Sequence, residues 1–261
     1  MQVIILCGGT GTRMKELTEL TPKPLIPIGG RPLLWHIIKH YMHYNFFEFI
    51  LALGYRQESF KMYFTNFDEL NNDITIYHDD MIGTPKILYH SIDTSFNITL
   101  ADTGLNTLKG ARLKRVEKYV TDDTFMVTYG DGLSDINLKA LLAFHKRHGK
   151  LATITGVHPK SKFGEIWYLK DGRVTSIKEK PQENDRLTNG GFMVFNKGVF
   201  NYLYPKEDCD LEIGPFERLA KDKELFVYNH TGFWKNADTL KDIGELQDMW
   251  DTGNPPWQRW R

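Results

Sequence analysis

The first thirteen residues can pack in few ways other than as a buried strand that runs into a glycine-rich loop. Residues 3–6 read Val-Ile-Ile-Leu, and Gly8-Gly9-Thr10-Gly11-Thr12-Arg13 follows after one cysteine. Glycine has no Cβ, so its backbone can approach an anion closely and turn N–H groups towards it. Arg13 and Lys23 add positive charge. The pattern predicts a loop that binds a polyphosphate at the end of a strand.

Two common phosphate-binding loops do not fit this segment. A Walker loop needs GxxxxGK followed by Ser or Thr, and the sequence contains no such string. A dinucleotide-binding loop needs GxGxxG, but the third glycine position counted from Gly9 and Gly11 is Met14. Three prolines and a Gly-Gly pair between residues 22 and 30 interrupt any long helix here. We therefore expect a long loop that wraps its ligand.

Composition and charge exclude several classes of partner. Of the 261 residues 41% are hydrophobic, and 33 basic side chains balance 33 acidic ones. A net charge of zero provides no basic surface, so we expect neither nucleic acid nor a membrane as partner. Cys7 and Cys209 are the two cysteines, too few for a disulfide scaffold and typical of a reducing compartment. The chain enters a strand at once without a signal-peptide pattern, which favours a cytoplasmic location.

Candidate strands and amphipathic helices alternate through the first two thirds of the chain. Repeated βα units predict an α/β fold with a Rossmann-like, mostly parallel mixed sheet and helices on both faces. Beyond Pro159 the pattern changes, because residues 165–169 and 173–178 flank Asp171-Gly172 and predict an antiparallel hairpin. We expect this hairpin to form a small β layer for a second substrate. The sequence shows no repeat or flexible linker, so we expect a single domain over residues 1–261.

Histidines on the first long helix could be mistaken for a zinc site. His36, His40 and His43 lie opposite the apolar stripe of a helix predicted to begin at residues 31–32. The sequence contains no HExxH motif. We therefore interpret the three histidines as a polar face of the helix rather than a metal site.

A basic run and a group of tryptophans also receive structural interpretations. A helix is predicted over residues 109–120, and of its basic residues Arg112 alone flanks the buried face near the helix start. We expect Lys114, Arg115 and Lys118 to be solvated. Three tryptophans should dock the C-terminal tail onto the body of the protein or onto a neighbouring subunit: Trp250, Trp257 and Trp260.

Two carboxylates are candidates for a metal site. Asp131 lies between Gly130 and Gly132, directly after a strand predicted over residues 125–129. Such a carboxylate can reach a ligand without steric cover, and Mg²⁺ prefers oxygen ligands, although Asp and Gly also form ordinary tight turns. Asp238 precedes a predicted helix, where a capping role is the alternative. Two carboxylates from distant segments could hold one ion between them.

A second group of candidates follows the predicted hairpin. Lys180 lies in Glu179-Lys180-Pro181, where it could receive a second anion or simply be a solvated surface lysine. Asn189 and Gly190 come shortly afterwards, and amide and glycine backbone groups suit sugar hydroxyls.

Taken in order, these motifs resemble those of sugar-1-phosphate nucleotidylyltransferases. The resemblance is carried along nearly the whole chain by LCGGTGTR, TPKP, TYGDG, EKP, NGGF and the later GFW segment ending in Asp238-Thr239. Further strings are similar to the glucose-1-phosphate cytidylyltransferase branch of that family: IGGRPLLWHIIK, GARLKRVEKYV, HKRHGKLAT and the terminal PPW. The resemblance implies a Mg²⁺-dependent reaction of CTP with α-D-glucose 1-phosphate that gives CDP-glucose and pyrophosphate. It also implies a homo-oligomer, a hexamer or similar.

The resemblance further implies roles for individual residues. Arg13, Lys23 and Asp131 would be catalytic, and Asp131 and Asp238 would hold Mg²⁺. The sugar phosphate would contact Glu179, Lys180, Asn189 and Gly190. The nucleotide would contact Leu6, Gly8, Gly9, Gly11, Thr12, Arg13, Lys23, Thr107, Arg112 and Gly130. The single domain would then be mainly nucleotide-binding over residues 1–158 and mainly sugar-binding over 159–235, with a C-terminal helix and tail over 236–261.

Two alternatives stay open from the sequence. The chain could use UTP, dTTP or another sugar 1-phosphate, since base choice depends on backbone contacts around residues 102–104 and at Leu6. It could also be a catalytically silent nucleotide-sugar sensor, a hypothesis disfavoured because both candidate carboxylates and both loop cations are present. Three segments depart from the family pattern and weaken the assignment of the sugar: residues 81–97, 163–167 and 209–215.

Overall fold

The computed structural model describes residues 1–11, 21–78, 85–90, 95–158, 165–169, 171–178 and 187–260. Its strands are β1 (Gln2–Leu6), β2 (Pro27–Ile28), β3 (Arg31–Pro32), β4 (Glu48–Leu53), β5 (Ile74–Tyr77), β6 (Lys86–Tyr89), β7 (Asn97–Asp102), β8 (Thr124–Tyr129), β9 (Gly132–Ser134), β10 (Ala152–Val157), β11 (Glu165–Tyr168), β12 (Val174–Lys178), β13 (Thr188–Asn196), β14 (Leu225–His230) and β15 (Trp234–Asn236). Its α-helices are α1 (Leu33–His43), α2 (Gln57–Thr65), α3 (Phe67–Asn71), α4 (Lys109–Arg115), α5 (Leu138–His148), α6 (Glu217–Lys221) and α7 (Leu240–Asp251).

The central sheet has seven strands in the order β14-β10-β13-β8-β1-β4-β7. β1 pairs in parallel with both β4 and β8, β4 with β7, and β10 with β14. β13 is antiparallel to both of its neighbours, β8 and β10. The predicted mostly parallel mixed sheet is confirmed. The predicted hairpin is also confirmed, because β11 and β12 pair antiparallel.

The two faces of the sheet carry separate hydrophobic cores. Successive side chains of a strand point to opposite faces, so Val3 and Ile5 join one core while Ile4 and Leu6 join the other. Helices α1, α5 and α7 supply side chains to the first core, and α4 and α6 supply side chains to the second. Helices therefore cover both faces, as the alternation of strands and helices predicts.

One predicted helix ends earlier than the sequence pattern indicates. The helix predicted over residues 109–120 ends as α4 at Arg115, and a short 3₁₀ turn at Glu117–Tyr119 follows it. Buried Val116 and Val120 flank the 3₁₀ turn and continue the helical spacing from Leu113, so periodicity alone cannot locate the break. β13 and β14 were not predicted as strands.

The prediction of a polar helix face is wrong for two of the three histidines of α1. His36 and His40 are buried, and each ring Nε2 lies within hydrogen-bonding distance of a carbonyl oxygen, at 2.9 Å from Ile28 and 3.0 Å from Ile136. Burial lowers the pKa of both rings to about 4. His43, in contrast, is exposed.

The C-terminal tail covers the helix face that carries His36. Trp257 is buried, its Nε1 lies 3.3 Å from His36 Nδ1, and the rings of Trp250 and Trp260 also pack around that imidazole. The expected docking of the tail onto the body is confirmed. None of the helices in the described ranges is long and apolar enough to cross a membrane.

Candidate functional site

A cavity of about 610 Å³ opens where β1 and β8 end. Ligands of open α/β sheets bind outside the carboxyl ends of the strands, and this cavity lies at that edge. It is lined by ten of the residues singled out from the sequence: Leu6, Gly8, Gly9, Gly11, Lys23, Thr107, Arg112, Gly130, Asp131 and Asp238. Thr12, Arg13, Glu179 and Lys180 lie outside the described residues.

Close packing at the end of β8 requires a glycine at position 130. The Gly130 amide donates to the Leu6 carbonyl at 3.2 Å, which ties the end of β8 to the end of β1. A Cβ on Gly130 would stand 2.9 Å from both Cys7 Sγ and Pro24 Cγ. Any larger residue would push the following carboxylate, Asp131, out of its place.

The pairing of two short strands brings the two candidate carboxylates together. In the antiparallel β9–β15 pair, Gly132 is opposite Asn236. The Ala237 amide then donates to the Asp131 carbonyl at 2.9 Å. Asp131 precedes one strand of the pair and Asp238 follows the other. Residues more than a hundred positions apart in sequence thus meet at one wall of the cavity.

Asp238 does not cap the helix that follows it. Thr239 is the N-cap of α7, and it forms a capping box with Asp242. Because the cap is supplied by these two residues, the Asp238 carboxylate can serve the cavity instead.

Lys23 lies between the two carboxylates. Its Nζ is 2.7 Å from Asp131 Oδ2 and 2.6 Å from Asp238 Oδ1, and its side chain is only 12% exposed. Burial by itself lowers the pKa of this lysine, but the charges and hydrogen bonds of Asp131 and Asp238 outweigh burial and raise the pKa above its ordinary value. Lys23 is therefore charged at neutral pH. These three side chains are called the Lys23 cluster below.

The donor set of this cluster fits a magnesium ion that is shared with a substrate. Mg²⁺ is commonly bound by one or two carboxylates plus substrate phosphates rather than by an all-protein cage. Asp131 and Asp238 provide the two carboxylates at the cavity wall. Across the ranges that the structure describes, no group of three or more His, Cys, Asp or Glu side chains could hold a metal ion. Any ion at this pair would need further ligands from a phosphate or from water.

Arg112 is buried under the glycine loop and holds three chain segments together. Its guanidinium donates to the carbonyls of Gly8 and Leu53 at 2.8 and 3.0 Å. It also donates to the loop after β7, at the carbonyls of residues 104 and 105 and the Thr103 hydroxyl. A Cβ on Gly8 would stand 2.1 Å from the guanidinium. Through these contacts Arg112 fixes the loops that frame the cavity and adds positive charge beneath them.

Arg115 departs from its prediction as a solvated residue. It donates to the Thr103 carbonyl and the Thr107 hydroxyl, both at 2.8 Å, and to the Pro205 carbonyl at 3.0 Å. Thr107 is itself buried at the cavity wall. The basic run of α4 therefore shapes the cavity through two arginines rather than one.

A second polar network at the cavity was not singled out from the sequence. Tyr129 and Lys109 both line the cavity, and the Lys109 Nζ lies 5.4 Å from the centre of the Tyr129 ring. Glu212 joins them, at 2.5 Å from the Tyr129 hydroxyl and 2.6 Å from the Lys109 Nζ. Tyr129 belongs to the TYGDG motif and could have been found there. Glu212 lies in a segment that departs from the family pattern, so no sequence signal marked it.

The predicted sugar-contacting residues that are described lie next to this network. Asn189 donates to the Tyr129 hydroxyl at 3.1 Å and accepts from the Gly191 amide at 3.0 Å. The Gly190 carbonyl accepts from the Trp234 indole at 2.8 Å. Neither Asn189 nor Gly190 is among the described residues that line the cavity. Their roles in binding a sugar stay predictions.

Comparison with known proteins places the chain among nucleotide-sugar enzymes. A family model described as nucleotidyl transferase matches residues 2–255. A Bacillus subtilis (strain 168) protein named probable glucose-1-phosphate cytidylyltransferase is 42% identical over 264 aligned residues, covering 100% of both chains. The glucose-1-phosphate cytidylyltransferase of Salmonella typhimurium (strain LT2) is 41% identical over 261 residues, again covering 100% of both.

Solved structures share the fold at lower sequence identity. A UDP-glucose pyrophosphorylase complexed with UDP-glucose superposes with a TM-score of 0.69 at 17% identity, covering 97% of this chain and 98% of that one. HddC from Yersinia pseudotuberculosis, complexed with GMP-PN, has a TM-score of 0.66 at 19% identity, covering 95% and 99%. At such identities the likeness shows the fold alone.

Proposed function

The chain belongs to the nucleotidyl transferase family, and we propose that it transfers the cytidylyl group of CTP to α-D-glucose 1-phosphate, giving CDP-glucose and pyrophosphate. The observation that carries this proposal is the Lys23 cluster. It brings together an ammonium group that can bind a phosphate and two carboxylates, in one cavity directly beside a glycine loop. Relatives that match the chain over its full length support the choice of nucleotide and sugar.

The reaction requires little from a general base. A sugar 1-phosphate is mostly dianionic at neutral pH, because its second pKa is about 6. One of its phosphate oxygens can therefore attack directly. That oxygen forms a bond to the α-phosphorus of the nucleotide, the bond from the α-phosphorus to the β-bridging oxygen breaks, and pyrophosphate departs. The barrier arises because two anions must approach each other. Catalysis therefore consists of positioning and of cancelling negative charge.

The residues of the cavity supply these two functions. Gly8, Gly9 and Gly11 line it with backbone that carries no Cβ, which suits a triphosphate. Lys23 is charged and can move its ammonium onto a phosphate oxygen. Arg13, predicted from the sequence and outside the described residues, is proposed to stabilise the charge that develops on the departing pyrophosphate.

Asp131 and Asp238 are proposed to hold Mg²⁺ together with the nucleotide phosphates. A bound Mg²⁺ would neutralise phosphate charge and act as a Lewis acid. Glu179, Lys180, Asn189 and Gly190 are proposed to bind the sugar phosphate. A homo-oligomer is proposed on the same family resemblance, and a cytoplasmic location on the presence of two cysteines, which is typical of a reducing compartment.

The function can be tested by pyrophosphate release. Purified protein with Mg²⁺ is assayed with each of CTP, UTP, dTTP and GTP, crossed with glucose, mannose and galactose 1-phosphates. The expected result is a preference for CTP with glucose 1-phosphate and loss of turnover when EDTA removes the metal. Preference for UTP or dTTP would replace cytidylyl transfer by another nucleotidyl transfer. Release with no pair would favour the sensor instead.

A further inference from the structure

The Lys23 cluster places a side-chain cation where a metal ion would have to bind. Both carboxylates reach the ammonium with one oxygen each, at 2.7 and 2.6 Å. The second oxygen of Asp238 accepts a hydrogen bond from the side-chain amide of Asn236. Three of the four carboxylate oxygens of Asp131 and Asp238 therefore already have partners that a bridging divalent ion would have to share or displace.

We propose that Lys23 and the divalent metal compete for Asp131 and Asp238, so that the metal binds well only after nucleotide phosphates have drawn Lys23 away. This inference rests on the proposed function, because it assumes that a phosphate and a metal ion share the cavity. It adds to that function a coupling between the two ligands.

Distances make simultaneous binding unfavourable. Mg²⁺ binds oxygen ligands at about 2.0–2.1 Å, whereas the Lys23 ammonium lies 2.6–2.7 Å from an oxygen of each carboxylate. Two cations on the same pair of oxygens would repel each other at short range in a half-buried site. The ammonium must leave these oxygens, or the metal must accept weaker contacts.

The chain allows the ammonium, but not the backbone, to move. Lys23 lies between Pro22 and Pro24, begins a 3₁₀ turn, and has its backbone carbonyl bonded by the Ile26 amide. Pro24 also packs against Gly130, where there is no room for a Cβ. The four-carbon stem of the lysine is flexible, so the side chain alone can exchange one anion for another.

Without a phosphate in the cavity, the Lys23 ammonium has no further anion to which it can move among the described residues that line the cavity. The ammonium is largely buried, and leaving it without an anionic partner costs free energy because a charge in such a place needs compensation. A triphosphate in the same cavity supplies new anionic partners for Lys23. The two carboxylates then become available to the metal, and nucleotide and metal favour each other's binding.

The test is metal binding without nucleotide. Mn²⁺, a paramagnetic substitute for Mg²⁺, is titrated into the wild-type protein and into Lys23→Met while the free ion is followed by electron paramagnetic resonance. We expect Lys23→Met to bind Mn²⁺ at least tenfold more tightly than wild type. Lys23→Gln, which keeps a polar side chain, should show the same gain and carries the test if the methionine variant does not fold.

Lys235 provides a matched control. Its Nζ also bridges two carboxylates, at 3.2 Å from Asp242 Oδ1 and 2.6 Å from Glu245 Oε2, and its side chain is 17% exposed. Lys235→Met changes the net charge by the same amount but should leave Mn²⁺ binding within twofold of wild type. A second control, Lys23→Met combined with Asp131→Asn, should lose the gain.

Each outcome decides the proposal. Equal Mn²⁺ affinities of wild type and the Lys23 variants overturn it, as does an equal gain in Lys235→Met. The failure of the proposed function would look different, because it is scored by pyrophosphate release from wild type. Turnover with unchanged Mn²⁺ affinities overturns the coupling alone. A tenfold gain with no turnover on any substrate pair supports the competition and overturns the cytidylyl transfer.

Discussion

Lys23 and Lys235 each lie within 3.2 Å of two carboxylates, yet of these two clusters only that of Lys23 is among the described residues that line the cavity. The Lys23 cluster draws its members from three distant segments, and the β9–β15 pair brings together the two that carry Asp131 and Asp238. The Lys235 cluster, formed by Lys235, Asp242 and Glu245, lies within eleven residues at the start of α7. The chemical groups are the same, so the difference lies in what else the carboxylates contact.

In the Lys235 cluster the buried carboxylate is committed to the backbone. Asp242 Oδ2 accepts from the Thr239 amide at 2.9 Å and from the Thr239 hydroxyl at 2.8 Å, which completes the capping box of α7. In the Lys23 cluster the carboxylates of Asp131 and Asp238 are 33% and 22% exposed and face the cavity. A lysine between two acids is therefore not by itself a sign of function.

The largest predicted effect is the loss of turnover in Asp131→Asn. We expect kcat to fall at least tenfold, because the substitution removes one of the two carboxylate charges that would hold Mg²⁺. The free energy of unfolding should change little, since Lys23 keeps its ion pair with Asp238. Pyrophosphate release and urea denaturation measure the two quantities. Turnover within threefold of wild type would remove Asp131 from the proposed machinery.

This part of the site could be predicted because its sequence signals are local. Asp131 lies between two glycines after a strand of β-branched and aromatic residues, and β8 (Thr124–Tyr129) ends one residue before that turn. The pairing of Asp131 with Asp238 was a prediction from residue type and position, and the structure brings the two together. Whether they hold a metal stays a prediction.

What the sequence could not reveal depends on contacts between distant segments. Nothing around Lys23 in the chain indicates that its ammonium lies between Asp131 and Asp238. The burial of His36 is similar, because periodicity describes one face of α1 and carries no information on the tail that covers another face. Glu212 reaches Tyr129 and Lys109 through an irregular turn, and its neighbours Ile213 and Gly214 have non-helical backbone angles. No regular pattern predicts such a turn.

The next effect concerns stability rather than turnover. Asp242→Ala should lower the free energy of unfolding by about 1 kcal/mol, the usual consequence of losing a helix cap. We expect kcat to stay within twofold of wild type, because Asp242 contacts the start of α7 and Lys235. Thr239→Ala removes the other half of the capping box and should cost a similar amount. A tenfold fall in kcat for Asp242→Ala would mean that α7 positions Asp238 more strictly than its contacts indicate.

The smallest effect is expected for Lys235→Met. Its ion pair with Glu245 is partly exposed, with Glu245 41% exposed, and such pairs contribute little because solvent screens them. Asp242 keeps its bonds to Thr239, so the free energy of unfolding should change by about 0.5 kcal/mol or less. Urea denaturation measures this change, and kcat should match wild type because Lys235 is not among the described residues that line the cavity. If Lys235→Met instead lost as much turnover as Asp131→Asn, exposure to the cavity would not explain the difference between the two clusters. The positive charge that each lysine carries would then have to explain the loss.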